Sequence, residues 1–107
     1  MSFSISCTAP PQAPTVTAGS DQHELEGLLI SLTGASFSDP DNDGPWDYII
    51  DWGDGTRTTG TAPNPGSIGG THTYITLVNT DFRVTVTVTD QHGLSGQASK
   101  VIHVTLL

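Results

Sequence analysis

Apolar and polar residues alternate with a period of two in several separate stretches of this chain, and no window carries the longer period of an amphipathic helix. The strongest run interleaves Phe82, Val84, Val86 and Val88 with Arg83, Thr85, Thr87 and Thr89. β-Branched residues on both faces of such a run suit a half-buried strand. Trp46, Tyr48, Ile50 and Trp52 fall on one face of a second run, with Asp47, Ile49 and Asp51 on the other, which predicts a strand with an aromatic core face. Near the C-terminus Ile102, Val104 and Leu106 alternate with His103 and Thr105. Toward the N-terminus Thr15 to Ala18 alternates briefly, and Leu28, Ile30 and Leu32 alternate with Leu29, Ser31 and Thr33; a polar turn is expected between them, around Asp21 to Gly27. Phe37 reads as an isolated apolar plug.

Turn chemistry divides these runs. Gly53-Asp54-Gly55 leads into a short strand expected over residues 56–61; Pro63-Asn64-Pro65-Gly66 and Gly69-Gly70 then make a loop that His72-Thr73-Tyr74 closes, and Asp90 to Gly93 is a further turn. About seven short strands with no helix predict an all-β fold, a seven-stranded antiparallel immunoglobulin-like β-sandwich. The 107 residues fit one domain. Residues 1–13, with Pro10, Pro11 and a mixture of Ser and Thr, read as an extended leader or linker, and residues 14–107 as the sandwich.

Composition narrows the function. Three basic residues, Arg57, Arg83 and Lys100, face eleven acidic ones, a net charge of −8, the wrong sign for holding phosphates by counterion release, so nucleic acid is not an expected partner. No apolar run approaches the about 20 residues of a membrane span, and no membrane insertion is expected. The start of the chain lacks the basic region and apolar core of a secretory signal. A single cysteine, Cys7, makes no internal disulfide. There is no G-x-S-x-G elbow and no Cys–His context, and a small sandwich offers no deep cleft to raise a carboxyl pKa, so the chain is not read as an enzyme.

Three separated motifs resemble one family. Ile50-Asp51-Trp52-Gly53-Asp54-Gly55-Thr56, then His72-Thr73-Tyr74, then the strand from Val84 to Asp90 with Gly93 look like the W-D-F-G-D-G turn, H-x-Y element and V-T-D strand end of PKD (polycystic kidney disease) domains. The resemblance covers residues 14 to 106. It implies a seven-stranded sandwich serving as a non-catalytic module of extracellular or surface proteins, including adhesins, S-layer proteins and secreted hydrolases. Ile50 stands where the family often has Trp and Trp52 where it has Phe, so the core aromatic moves two residues along one face, which should preserve packing. Phe82 stands where Tyr is frequent and brings no hydroxyl, so that corner has to close another way.

Six of the eleven acidic residues lie between Ser38 and Gly55. Asp39, Asp41 and Asp43 have the spacing of the first half of a calcium loop. An EF-hand is rejected, because its position twelve is Ile50 and no helices flank it. In an immunoglobulin-like sandwich this loop and the turn after Val88 share an end, so Asp90 is a candidate to converge on it, an arrangement that some calcium-binding PKD domains resemble. The alternative is that the aspartates splay into solvent as turn formers before Gly44 and Pro45. Asp54 is expected to cap its own turn, and Asp51 to lie beside Arg57 or a neighbouring strand. The histidines, His23, His72, His92 and His103, lack zinc-ligand spacing, so no zinc site is expected. His72 and Tyr74 are expected to pack and hydrogen-bond locally. Lys100 is a remote candidate for an isopeptide cross-link. Trp46, beside Gly44-Pro45, is a candidate contact for carbohydrate or another ligand, against the alternative of core packing.

The expected function is an interaction or spacer module that contacts protein surfaces or neighbouring domains outside the cell or at its surface, with Ca2+ as its candidate cofactor. Two alternatives stand beside it: a decoration protein on a virion surface, and a carbohydrate-binding accessory to a secreted hydrolase.

Overall fold

The two strongest alternating runs form the longest hairpin of the molecule. In the computed structural model, which describes residues 11–41 and 44–107, β9 (Thr80–Thr89) and β10 (Ser95–Thr105) pair antiparallel over ten positions. Their inward residues Val84, Val86, Val88, Ile102 and Val104 are buried. The aromatic run is β5 (Trp46–Asp51), which pairs antiparallel with the second half of β9, Asp47 opposite Thr89 and Asp51 opposite Thr85. Its other edge takes β6 (Arg57–Ala62). Earlier in the chain lie β1 (Thr15–Thr17), β2 (Gln22–Leu25), β3 (Leu29–Ser31) and β4 (Ser36–Ser38); between β6 and β9 lie β7 (Gly66–Ser67) and β8 (Thr71–Thr73).

One layer is the five-stranded sheet β2-β10-β9-β5-β6. The three-stranded sheet β1-β4-β7 and the pair β3-β8 oppose it; one further bond prolongs each, from the Leu32 N–H to the Gly70 carbonyl beyond β3-β8 and from the Ile68 N–H to the Ala35 carbonyl beyond β4-β7, each 2.9 Å. Ile30, Leu32, Phe37 and Ile68 from this side meet Trp46, Ile50, Trp52 and the valines of β9 in one core. The expected all-β sandwich is what forms. No helix is long and apolar enough to cross a membrane among the described residues. Residues 1–10 of the expected leader lie outside the described residues.

The count and the pairing differ from expectation in two respects. Ten strands are present among the described residues where about seven were expected: the stretches around Phe37 and Gly66, read as a plug and a loop, are β4 and β7, with β4 pairing both β1 and β7, and β2 is the third addition. The second difference is a correction: the stretch from Asp21 to Gly27 is not simply a turn. Its first half is β2, which runs parallel to β10, with Gln22 opposite Ile102 and Leu25 opposite Thr105. The inward residue is polar, which hides the strand from a hydrophobic pattern. Gln22 is buried, and its amide oxygen accepts the Thr33 N–H at 3.1 Å while its nitrogen donates to the Ser31 carbonyl at 3.0 Å and to Glu24 Oε2 at 2.7 Å. A buried amide so bonded escapes the penalty of unsatisfied polar groups.

Both family departures resolve in the core. Ile50 and Trp52 are buried together, so moving the aromatic two residues along β5 keeps the face filled. The corner closes through Tyr74, whose buried hydroxyl donates to the Trp52 carbonyl at 2.7 Å, while its ring stacks on Phe82 with centroids 4.3 Å apart. Burial, with Asp54 and Asp51 nearby, pushes the Tyr74 phenol well above its ordinary range, so the hydroxyl stays a donor. Gly53 is required at its position: it has φ +83°, and a Cβ there would stand 2.5 Å from the Arg83 carbonyl oxygen.

Candidate functional site

The end of the sandwich where β4 leaves, β5 starts and β9 turns into β10 gathers the acidic residues. Asp39 follows β4, and Asp90 follows β9 directly. Because Asp47 on β5 is paired with Thr89, the two loops are neighbours, and Gln91 Nε2 ties them by donating to the Pro45 carbonyl at 2.9 Å. One carboxylate oxygen from each of Asp39, Asp41 and Asp90 lies within 4.8 Å of the other two. Asp43 lies outside the described residues. The predicted convergence of Asp90 on the loop after β4 is therefore present for Asp39 and Asp41.

Each carboxylate is held by its surroundings. Asp39 Oδ1 accepts the Asp41 N–H at 2.9 Å, and Oδ2 accepts the indole N–H of Trp46 at 2.9 Å. Asp41 Oδ2 accepts the Gln12 N–H at 2.5 Å, which brings the chain leading into β1 to the same cluster. Asp90 Oδ1 accepts two backbone N–H groups, from His92 and Leu94, each at 2.9 Å. Asp90 is only 5% exposed, and its Oδ2 is buried with no hydrogen-bond partner among the described residues.

A buried carboxylate oxygen without a donor is costly. Carboxylates about 5 Å apart also repel by roughly 1 to 3 kcal/mol per pair at effective dielectrics between bulk water and a protein surface. A divalent cation answers both problems. Three carboxylates make a hard, all-oxygen donor set, which suits Ca2+ or Mg2+ rather than a metal that prefers nitrogen or sulfur. The donor chemistry and the orphaned oxygen of Asp90 thus fit a hard divalent cation at Asp39, Asp41 and Asp90.

Trp46 is 1% exposed. Its ring meets Phe37 edge-on, with centroids 5.3 Å apart, and its N–H is taken by Asp39. Stacking on a sugar needs an open ring face, and this ring has none. Its connection to the site is instead as the donor that orients Asp39, a role the alternation of β5 gave no means of foreseeing.

The second acidic turn is structural. Asp54 Oδ1 accepts the Thr56 N–H at 3.1 Å and the Thr56 hydroxyl at 2.5 Å, and Asp54 Oδ2 lies 2.7 Å from His72 Nε2. His72 in turn stacks on Trp52 with centroids 4.8 Å apart. Asp51 accepts the Gly53 N–H at 3.0 Å and lies 3.9 Å from Arg57, beside the residue expected. Burial pushes the Asp54 carboxyl up, but the hydrogen bonds from Thr56 and His72 outweigh it and hold the group below its ordinary 3.8. A depressed carboxyl contributes stability above its unfolded pKa and loses it as pH falls through the folded value. Asp54→Asn is therefore expected to melt below the parent chain at pH 7, with the gap narrowing as pH falls below 3.8 and on through the lower folded value. A gap that persists unchanged in acid would assign the cost to turn geometry instead of charge.

Lys100, 4% exposed, donates from Nζ to the Thr33 carbonyl at 2.6 Å. Burial lowers its pKa, opposed by Asp21 and Glu24. The ammonium thus joins the two layers.

The sequence from Pro11 to Leu106 matches the family model described as PKD domain. The chain belongs to the PKD domain family. Solved PKD domains share its fold at low sequence identity. The PKD domain of an M14-like peptidase from Thermoplasmatales archaeon SCGC AB-540-F20 is similar with TM-score 0.63 and 22% identity, over 91% of this chain and 97% of that one. The PKD1 domain of Vibrio anguillarum Epp gives TM-score 0.53 and 16% identity, covering 92% and 100%. The PKD domain of human KIAA0319 gives 0.59 and 15%, covering 99% and 93%. No curated protein matches the chain. At these identities the solved structures speak for the fold of this PKD domain, and its site has to be argued from its own residues.

Proposed function

We propose that this PKD domain is a non-catalytic spacer and interaction module of a surface or secreted assembly, stiffened by calcium at its acidic end. The observation that carries the calcium reading is the buried, unpartnered Oδ2 of Asp90 within a cluster that also contains Asp39 and Asp41. The Gln12 N–H on Asp41 supports a mechanical use. An ion there fixes the loop that grips the segment leading into the domain, and so stiffens the junction with whatever precedes the sandwich.

The opposite end supports the interaction reading. The Gly27 N–H bonds the Tyr74 carbonyl at 2.8 Å, the Glu26 N–H bonds the Thr105 carbonyl at 2.9 Å, and the Leu106 N–H bonds Asn79 Oδ1 at 2.9 Å. These bonds draw three chain segments together, and with them Leu28, Leu29, Ile75, Leu77, Val78 and Leu106, all exposed. Apolar side chains grouped on a surface favour contact with a protein partner or neighbouring domain.

Thermal melts in calcium and in chelator test the metal. At free calcium about a hundredfold above Kd, binding to the native state is worth about 2.7 kcal/mol, so the midpoint should rise by about 10 to 20 °C for a domain of this size. Asp41→Ala should remove most of the rise. An unchanged midpoint at millimolar calcium would sink the site.

A further inference from the structure

Two of the histidines that lack zinc spacing along the chain are brought together by the parallel pairing of β2 with β10. His23 is directly opposite His103, and the rings stack with centroids 4.7 Å apart and planes inclined by 19°. On the other side of β10, Asp81 of β9 is directly opposite His103. Three neighbouring strands therefore set His23, His103 and Asp81 in one row across the outer face of the five-stranded sheet, and Asp21, just before β2, lies at the edge of that row.

The hydrogen bonds give this row a direction. His103 Nδ1 lies 2.7 Å from Asp81 Oδ1. A carboxylate only accepts, so Nδ1 carries the proton, and in the neutral ring the lone pair is left on Nε2. A carboxylate behind one ring nitrogen is the usual way a metal-binding imidazole is oriented and made more basic. In front of Nε2 is Asp21 Oδ2, at 4.0 Å, too far for a hydrogen bond. Asp21 is held there by its other oxygen, which accepts the Val101 N–H at 2.9 Å. The ligand atoms of a tetrahedral ion with bonds of about 2.0 to 2.2 Å stand about 3.3 to 3.6 Å apart, so the exposed Asp21 side chain has only about half an ångström to close. The exposed His23 ring is stacked alongside, its nitrogens not yet aimed at this gap, and would have to turn out of the stack about its side-chain bonds to supply the second imidazole.

We propose that His103, Asp21 and His23 form a second cation site, for a borderline transition metal such as Zn2+, with Asp81 positioning the His103 ring. It is independent of the calcium cluster, at a different place on the sheet and with different donor chemistry: two imidazoles and one carboxylate select Zn2+, Ni2+ or Cu2+ over the hard Ca2+. The ligands sit at the surface, which leaves room for a fourth ligand from solvent or from another molecule. A metal held there bridges β2 to β10, where the parallel ladder is only four residues long.

Calorimetric titration of the chain with ZnCl2 tests the assignment. It is run in a Cys7→Ser background so that the thiol does not compete, and with millimolar calcium present so that the acidic cluster is satisfied. One equivalent of Zn2+ is expected to bind, with the side-chain nitrogen resonances of His23 and His103 shifting together. His23→Ala, a change at an exposed position, is expected to weaken binding by about tenfold or more, and Asp81→Asn, which withdraws the carboxylate behind Nδ1, by about 10- to 100-fold. Melting curves without metal show whether each variant still folds. Absence of binding up to millimolar Zn2+ overturns the proposal, and so does binding that neither variant weakens, which would place the ion elsewhere.

Discussion

In chelator, Asp90→Asn is expected to melt above the parent chain, and calcium is expected to move its midpoint no further. The two carboxylate oxygens of Asp90 do different jobs. Oδ1 accepts the His92 and Leu94 N–H groups, and an asparagine carbonyl still accepts both, without the charge that strengthens them. Oδ2 has no partner among the described residues and belongs to a carboxylate within 4.8 Å of two others. Replacing it with an amide N–H2 removes the repulsion and supplies donors next to Asp39 and Asp41. The gain is about 1 kcal/mol, taking the lower part of the range for charge pairs near a surface, or about 4 to 8 °C in midpoint. The same change takes a charged ligand from the cation, so the calcium-induced rise is lost. Asp90→Ala separates the two jobs: it removes both turn bonds and should lose about 1 to 2 kcal/mol in chelator. If instead Asp90→Asn melts below the parent without calcium, the carboxylate is already satisfied as it stands, and the site loses its main support.

How much of this was legible in the sequence depends on where the deciding signal lay. β5, β9 and β10 declare themselves because their inward residues are apolar and their outward ones polar, the condition under which a period of two is visible. Trp52-Gly53-Asp54-Gly55 was equally readable, since Gly53 answers a steric demand from the Arg83 carbonyl and Asp54 caps its own turn. β2 was not readable, because its inward residue is Gln22 and its burial depends on Ser31, Thr33 and Glu24 being brought to it. The acidic cluster was half readable. The spacing of Asp39 and Asp41 showed in the sequence, and an immunoglobulin-like end placed Asp90 beside them, but neither the indole donor from Trp46 nor the empty Oδ2 of Asp90 has any mark in one dimension. The His23–His103 pair is the extreme case. Eighty residues apart in number, they meet only because β2 pairs parallel to β10, a pairing the expected all-antiparallel arrangement did not contain.

Trp46 is where core and site meet, and its substitutions carry the largest expected cost. Trp46→Ala empties a fully buried ring position and should lose about 3 to 5 kcal/mol, a large part of the stability of a domain this small. It also withdraws the indole N–H from Asp39 Oδ2, so the calcium response should weaken along with the fold. Those two losses are separable with Trp46→Phe, which keeps much of the ring contact with Phe37 but has no N–H to give. This milder variant should stay folded, at a cost of about 1 to 2 kcal/mol, while Asp39, no longer held from behind, binds calcium less tightly. Denaturant unfolding gives the stability and a calcium titration gives the affinity. Weakened calcium binding in a folded Trp46→Phe chain would tie the aromatic strand to the acidic loop energetically as well as geometrically. Unchanged binding would mean that Asp39 is positioned without help from the indole, and that Trp46 acts only through packing.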